Sequence, residues 1–235
     1  MPDLDETTAH RGIARDGLGV GLATGLYGVS FGAVSVAAGL SVLQTCALSL
    51  VMFTGASQFA MVGVVAAGGP PLSGALTALM LGTRNTFYGL KLAPLLQFRG
   101  WRRPVAAHLV IDESTAMSVT RDSTATARVG FLSTGLAVFT LWNLFTLGGA
   151  IAGDRIGDPR TYGLDAAVGA AFLALLWPRL ADGRNRVVAA CAAAVALGLV
   201  PLTTAGVPVL AAGGVALLAG VLTRDAADPT ELPGR

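Results

Sequence analysis

What most limits the fold of this chain is a succession of apolar segments, each close to the length that crosses a bilayer. Eight can be marked, at about 17–38, 42–67, 72–96, 104–120, 129–153, 163–178, 187–204 and 207–223. A membrane helix needs about 20 predominantly apolar residues. The connections, such as GLS at 39–41 and GGPP at 68–71, are too short to hold a soluble domain. Charged residues make up 13% of the chain, about half the share of an ordinary soluble domain, and the mean hydropathy is +0.66. Long continuous apolar runs argue against the alternating pattern of a β-barrel. The 31 glycines suit helices whose backbones approach closely in lipid. The predicted class is all-α: a polytopic membrane helix bundle with about eight hydrophobic segments, some of them broken or re-entrant.

One transmembrane domain is expected over 17–223, between a polar N-terminal tail at 1–16 and a polar C-terminal tail at 224–235. The start, MPDLDETTAHRGIARD, is polar and acidic, so the first apolar segment is expected to serve as the insertion signal without cleavage. Arg99, Arg102 and Arg103 form the densest basic loop, which places it in the cytoplasm. If every segment crosses, the N-terminus is outside; if the second enters and returns, it is inside. Counting Lys and Arg leaves both topologies open. Ala38-Gly39 and Ala152-Gly153 share an offset of 114 with Gly55-Ala56 and Gly169-Ala170. That suggests an internal repeat of about 14–120 and 128–223, an arrangement in which substrates lie at the repeat interface.

The net charge of +2 gives no footing for nucleic acid. Cys46 and Cys191 have no metal-ligand spacing and read as small buried side chains. No metal or cofactor is expected.

The chemistry lies in polar groups set inside apolar runs. In the second segment, Thr54-Gly55-Ala56-Ser57-Gln58 interrupts the helix pattern. Either the helix breaks there, with polar neighbours satisfying the freed backbone groups, or Gly55 is a packing notch with Ser57 bonded to its own helix. In the third segment GTRNTFYG centres on Arg84, where an arginine costs about 2.5–3.5 kcal/mol unless it finds water or a partner. Arg84, Tyr88 and Lys91 share a helix face, extended by Thr77 and Leu81, with Asn85 about 100° around. The stripe suits a cationic contact for a substrate carboxylate, and equally a salt bridge locking two helices.

The fourth segment supplies the opposite charge in LVIDESTAMSV. Asp112 and Glu113 are adjacent and mid-segment, and His108 and Asp112, at i and i+4, share a helix face. Neighbouring carboxylates in low dielectric make a proton-coupling site possible; the structural alternative is that one of them pairs with Arg84 while the other reaches water, and both can hold in different states. His108 reads more readily as a structural hydrogen-bonder than as a relay. Trp142 is central in its segment and reads as packing or as the lining of a pathway.

With those residues in hand the chain resembles the AzlC family, the large subunits of branched-chain amino acid exporters. The resemblance runs from about Gly17 to Val221. It is carried by SFGAVSVAAGLSVLQTCALSLVMFTGASQFA at 30–60, LGTRNTFYGLKLAPLL at 81–96 and IDES at 111–114. WNLFTLGGAIAG at 142–153 and YGLDAAVGAAFLALLWPRL at 162–180 also carry it. Asn85 stands where family members typically have a basic residue. The resemblance implies a bacterial inner-membrane exporter of valine, leucine or isoleucine, driven by protons and working with a small hydrophobic AzlD-type subunit. In such a reading Arg84 and the backbone near Gly55 meet the substrate carboxylate, Asp112 or Glu113 meets the ammonium, and Phe53, Phe59 and Leu81 meet the aliphatic side chain. The alternatives are a permease or channel for another small zwitterion and, further off, an intramembrane hydrolase using Ser57 with His108 or Asp112 with Asp165. The absence of a GxxxxGK loop means that ATP could drive transport only through a separate subunit.

Overall fold

In the fold, the glycines of the first apolar segment act as a set. Helix α1 (Pro2–Ala37) carries Gly17, Gly21, Gly25, Gly28 and Gly32 on one face. The computed structural model describes residues 2–156, 161, 173 and 176–224. Against that face runs α7 (Thr124–Ile156). A methyl group added at Gly17 would fall on Ser133 and Thr134, at Gly21 on Ala137, at Gly25 on Leu141, and at Gly32 on the backbone of Thr146 and Ala150. The partners ascend in step, so α1 and α7 run parallel. α7 reciprocates, with Gly149 against the backbone of Val29 and Gly153 against Ala33. Leu18, Leu22 and Leu26 occupy another face of α1 and are exposed. One face of the helix is shaped for a neighbouring backbone and another for lipid.

α1 already begins at Pro2, so the polar stretch expected as a tail forms the first turns of the same helix. By length and composition, Thr7–Ala37 and Thr124–Arg155 are long and apolar enough to cross a membrane. α4 (Pro71–Leu96) has 26 residues, about 39 Å of helix.

Between these long helices lie two broken ones. The second segment is α2 (Val42–Val51), a break at 52–55, and α3 (Ala56–Ala66). α2 starts in a capping box, with Ser41 Oγ accepting from the Gln44 N–H and Gln44 Oε1 accepting from the Ser41 N–H. It runs antiparallel to α7: Ser49 Oγ donates to Thr146 Oγ1 at 3.5 Å, and Phe53 meets the Phe139 ring at 5.1 Å. α3 then turns back alongside α4, with Ser57 beside Gly82 and with Met61 and Val64 beside Gly74. The pair enters from one face of the bundle, turns at mid-depth and leaves by the same face.

The fourth segment does the same from the other face. α5 (Arg102–His108) and α6 (Asp112–Val119) are separated by Leu109–Ile111. His108 reaches the Phe139 ring at 5.6 Å, Leu109 and Ser114 lie by Gly135, and Met117 lies by Gly130, nearer the start of α7. The expectation that His108 and Asp112 share a helix face is therefore corrected. The helix ends at His108, and a new one begins at Asp112 after an extended Ile111. α2 and α3 have 10 and 11 residues, about 15 Å each and half of a hydrocarbon core of about 30 Å. The two hairpins meet tip to tip.

This architecture selects between the two topologies. Ile13 lies by Gly130, and Arg128 Nε donates to Leu96 O at 2.7 Å. The start of α1, the end of α4 and the start of α7 therefore share one face. That face holds Arg11, Arg15, Arg99, Arg102, Arg103, Arg121 and Arg128, whereas on the other Arg155 stands at the end of α7 and the connections at 38–41 and 67–70 have no Lys or Arg. The positive-inside rule makes the arginine face cytoplasmic and the N-terminus with it.

α8 (Gly183–Leu199) and α9 (Val207–Arg224) pack on each other, and α9 packs on α4. Ser73 Oγ donates to Ala205 O at 3.1 Å, which pins their connection to the non-cytoplasmic end of α4. Most of the sixth apolar segment, with Asp165 and Gly169-Ala170, lies outside the described residues, as does the stretch after Arg224.

Candidate functional site

The break in the second segment is held open by side chains that replace lost helix bonds. Gly55 sits at φ 60° and ψ −87°, a left-handed backbone that only glycine adopts without strain. Gln58, fully buried, reaches back across the break. Its Oε1 accepts from the Gly55 N–H at 3.1 Å, and its Nε2 donates to the carbonyls of Leu48 and Ser49 at 3.4 Å each. His108 Nε2 lies 2.9 Å from Leu50 O, the next freed carbonyl. One hairpin thus supplies a side chain that closes the other's open end, as non-helical backbone at membrane depth requires.

In the second hairpin Ser114 has the corresponding task. Its Oγ accepts from the Ile111 N–H at 3.1 Å and donates to Leu109 O at 2.6 Å. Asp112 and Glu113 then fall in the first turn of α6, where the positive end of the helix favours carboxylates.

Where the tips meet there is a cavity of about 170 Å³. α1 contributes Thr24 and Tyr27, the first hairpin Phe53 to Ala56 and Phe59, and the second Ile111, Asp112 and Glu113. α4 contributes Arg84, and α7 contributes Val138 and Trp142. Val138 and Trp142 straddle the midpoint of α7, so the cavity sits at mid-depth. Arg84 Nη2 makes an ion pair with Asp112 Oδ2 at 2.8 Å, and each side chain is about 30% exposed. Glu113 Oε1 accepts from Thr24 Oγ1 at 3.4 Å and has no cation partner among the described residues. Tyr88, one turn further along α4, stands beside the same ion pair.

Three residues of this lining carry a buried polar atom with no hydrogen-bond partner among the described residues: Thr54 Oγ1, Arg84 Nε and Trp142 Nε1. Buried polar groups in folded proteins are nearly always satisfied, and these three unsatisfied ones come from three different elements around the cavity: the first hairpin, α4 and α7. Phe53, Phe59, Ile111 and Val138 give the cavity its apolar lining. A cavity of about 150 Å³ holds a benzene molecule, so this one has room for a small molecule.

Of the residues singled out in the sequence, Gly55, Ala56, Arg84, Asp112 and Glu113 come together on the lining, with Tyr88 alongside. Gln58 and His108 serve the backbone at the breaks. Ser57, Asn85 and Leu81 do not line the cavity; Ser57 Oγ and Asn85 Oδ1 are buried without a partner among the described residues. Ser57 makes no hydrogen bond to His108, whose Nε2 is occupied by Leu50 O, so the imagined dyad is not assembled. Thr24 and Tyr27 were not anticipated, although they are polar interruptions in an otherwise glycine- and leucine-rich stretch of α1. Trp142 both packs, stacked on Phe31 at 6.0 Å, and lines the cavity.

The model of the AzlC protein family matches residues 19–156, which include every residue of the cavity. The chain is similar to an uncharacterized membrane protein of Archaeoglobus fulgidus, 32% identical over 189 residues, covering 79% of this chain and 83% of that one. It is also similar to an uncharacterized membrane protein of Helicobacter pylori, 25% identical over 179 residues, covering 74% and 78%. No solved structure matches. Matched over more than half its length, and with its cavity inside the match, the chain belongs to the AzlC family of membrane transport proteins.

Proposed function

We propose that this protein exports branched-chain amino acids across a bacterial inner membrane, as a proton-coupled carrier assembled with a small hydrophobic AzlD-type subunit. The observation that carries the reading is the Arg84–Asp112 ion pair, placed at the junction of two half-membrane hairpins on the wall of a small, mainly apolar cavity. A zwitterion replaces such a pair without changing its charge balance. Its carboxylate takes Arg84, with the Trp142 N–H and the N-terminal end of α3 as further donors. Its ammonium takes Asp112. A branched aliphatic side chain rests on Phe53, Phe59, Ile111 and Val138.

Glu113 carries the coupling. Its carboxylate takes a side-chain hydrogen bond from Thr24 and forms no ion pair of its own among the described residues, so it exchanges a proton without breaking the Arg84–Asp112 pair. Ser57 and Asn85 support the walls.

The test is efflux of labelled valine from preloaded cells that express the chain with its small partner, with and without an uncoupler. Uncoupler-sensitive efflux that disappears in Arg84→Ala and in Glu113→Gln, with both variants present in the membrane, is the expected result. Valine efflux that survives in both variants would sink the proposal.

A further inference from the structure

A second cleft, of about 520 Å³, lies far from the first, where α4 ends and α7 begins; Gln97, Phe98, Arg99, Trp101, Arg102 and Arg128 line it. Its walls are set by backbone. Gln97 at φ 50° and Gly100 at φ 56° fold the chain back tightly after α4, which swings Arg99 and Arg102 toward Arg128.

Arg128 is fixed in place. Its Nε donates to Leu96 O at 2.7 Å and its Nη2 to Gln97 O at 3.4 Å, so it caps the negative end of α4. Its guanidinium lies over the Phe98 ring at 5.4 Å, and that of Arg102 lies over Trp101 at 5.9 Å. Among the described residues no carboxylate forms an ion pair with Arg99, Arg102 or Arg128.

We propose that this cleft binds the phosphate of an anionic phospholipid in the cytoplasmic leaflet. Guanidinium groups form paired hydrogen bonds to phosphate oxygens, and five N–H donors per arginine leave Arg128 with donors beyond those used on α4. The depth fits as well. Arg128 lies in the opening turns of a membrane-spanning helix, and Trp101 is 74% exposed, in the position of an aromatic side chain at the headgroup level. A basic residue that merely followed the positive-inside rule would need neither a fixed rotamer nor a walled cleft, and basic pockets on this side of a membrane recognise anionic headgroups.

The experiment uses the full chain in nanodiscs, with Trp177→Phe as the background so that Trp101 is the exposed reporter and buried Trp142 the internal reference. Fluorescence quenching is titrated with brominated phosphatidylglycerol and, separately, with brominated phosphatidylcholine. The expected result is stronger quenching by the anionic lipid, with a preference that falls roughly fivefold for each arginine removed. Arg99→Gln with Arg102→Gln is the main variant because it leaves the Arg128 cap intact. Arg102→Gln alone serves if the pair of changes unfolds the protein, and it loses the single-arginine share. Equal quenching by the two lipids, or a preference unchanged in these variants, overturns the proposal. Reversal of the quenching by millimolar inorganic phosphate would instead assign the cleft to free phosphate and overturn the lipid as its occupant.

Discussion

The α1–α7 pair and the layer of two hairpins lie side by side at the same depth and solve opposite problems. In the pair every backbone group is satisfied within its own helix, so the contact surface is free to be featureless. Glycines bring the backbones together, and dispersion does the rest. In the hairpins the helices stop at mid-membrane, and the freed groups must be met by Gln58, His108 and Ser114. The contact face of the pair tolerates no added volume. The hairpins tolerate no loss of a specific donor. Charge and cavity lie where backbone is already polar, because a break supplies helix ends and satisfied loops at little further cost.

The largest effect that would break this comparison is in the pair. Gly149→Ala places a methyl on the backbone of Val29, where no side chain can give way. A loss of about 3 kcal/mol or more is expected, read as reduced yield and a lower unfolding midpoint in detergent. Arg84→Ala strands Asp112. Because both side chains are about 30% exposed, the stability loss is about 2 kcal/mol, below the range for a fully buried pair, while transport is lost outright. Adding Asp112→Ala should restore much of the stability and none of the transport; full recovery of transport would make the pair a mere lock.

Gln58→Ala takes a partner from the buried Ser49 carbonyl and from the Gly55 N–H, while Leu48 O keeps the Met52 N–H, and should cost about 2 kcal/mol; Gln58→Glu is no substitute because it cannot donate to Ser49 O. Gly55→Ala meets no neighbour within 4 Å, so its penalty of about 1–2 kcal/mol comes from backbone strain alone. A neutral result there would mean that the tip relaxes freely. The smallest effect sharpens the contrast: Gly148, next to Gly149, has nothing within 4 Å of an added methyl. Gly148→Ala should be neutral or stabilising by up to about 1 kcal/mol, measured by the same unfolding midpoint.

The sequence showed these two regions unequally. TGASQ displays its break because glycine and polar residues stand in an apolar run. The second break is hidden, since Leu109-Val110-Ile111 is continuous apolar chain with no glycine or proline. Its trace is the acidic pair that follows, which belongs to a helix start and looked like the middle of a longer helix. That Arg84 needs a carboxylate follows from charge in lipid; that it is Asp112 and not Glu113 depends on the turn at Ile111. The glycine face of α1 was visible as composition, but its parallel register with α7 depends on contacts between residues more than a hundred positions apart. The duplication at an offset of 114 rests partly on Gly169-Ala170, outside the described residues.

The hairpin geometry also bears on how the protein is made. Ser49 finds its partner in Thr146, 97 residues downstream, and Phe53 packs on Phe139 from the same late helix. When the ribosome has released α2 and α3, the wall against which they rest does not yet exist. A half-length hairpin with open backbone at its tip has no stable place in bare lipid. The site on which the first hairpin rests is thus complete only once α7 has emerged and packed on α1.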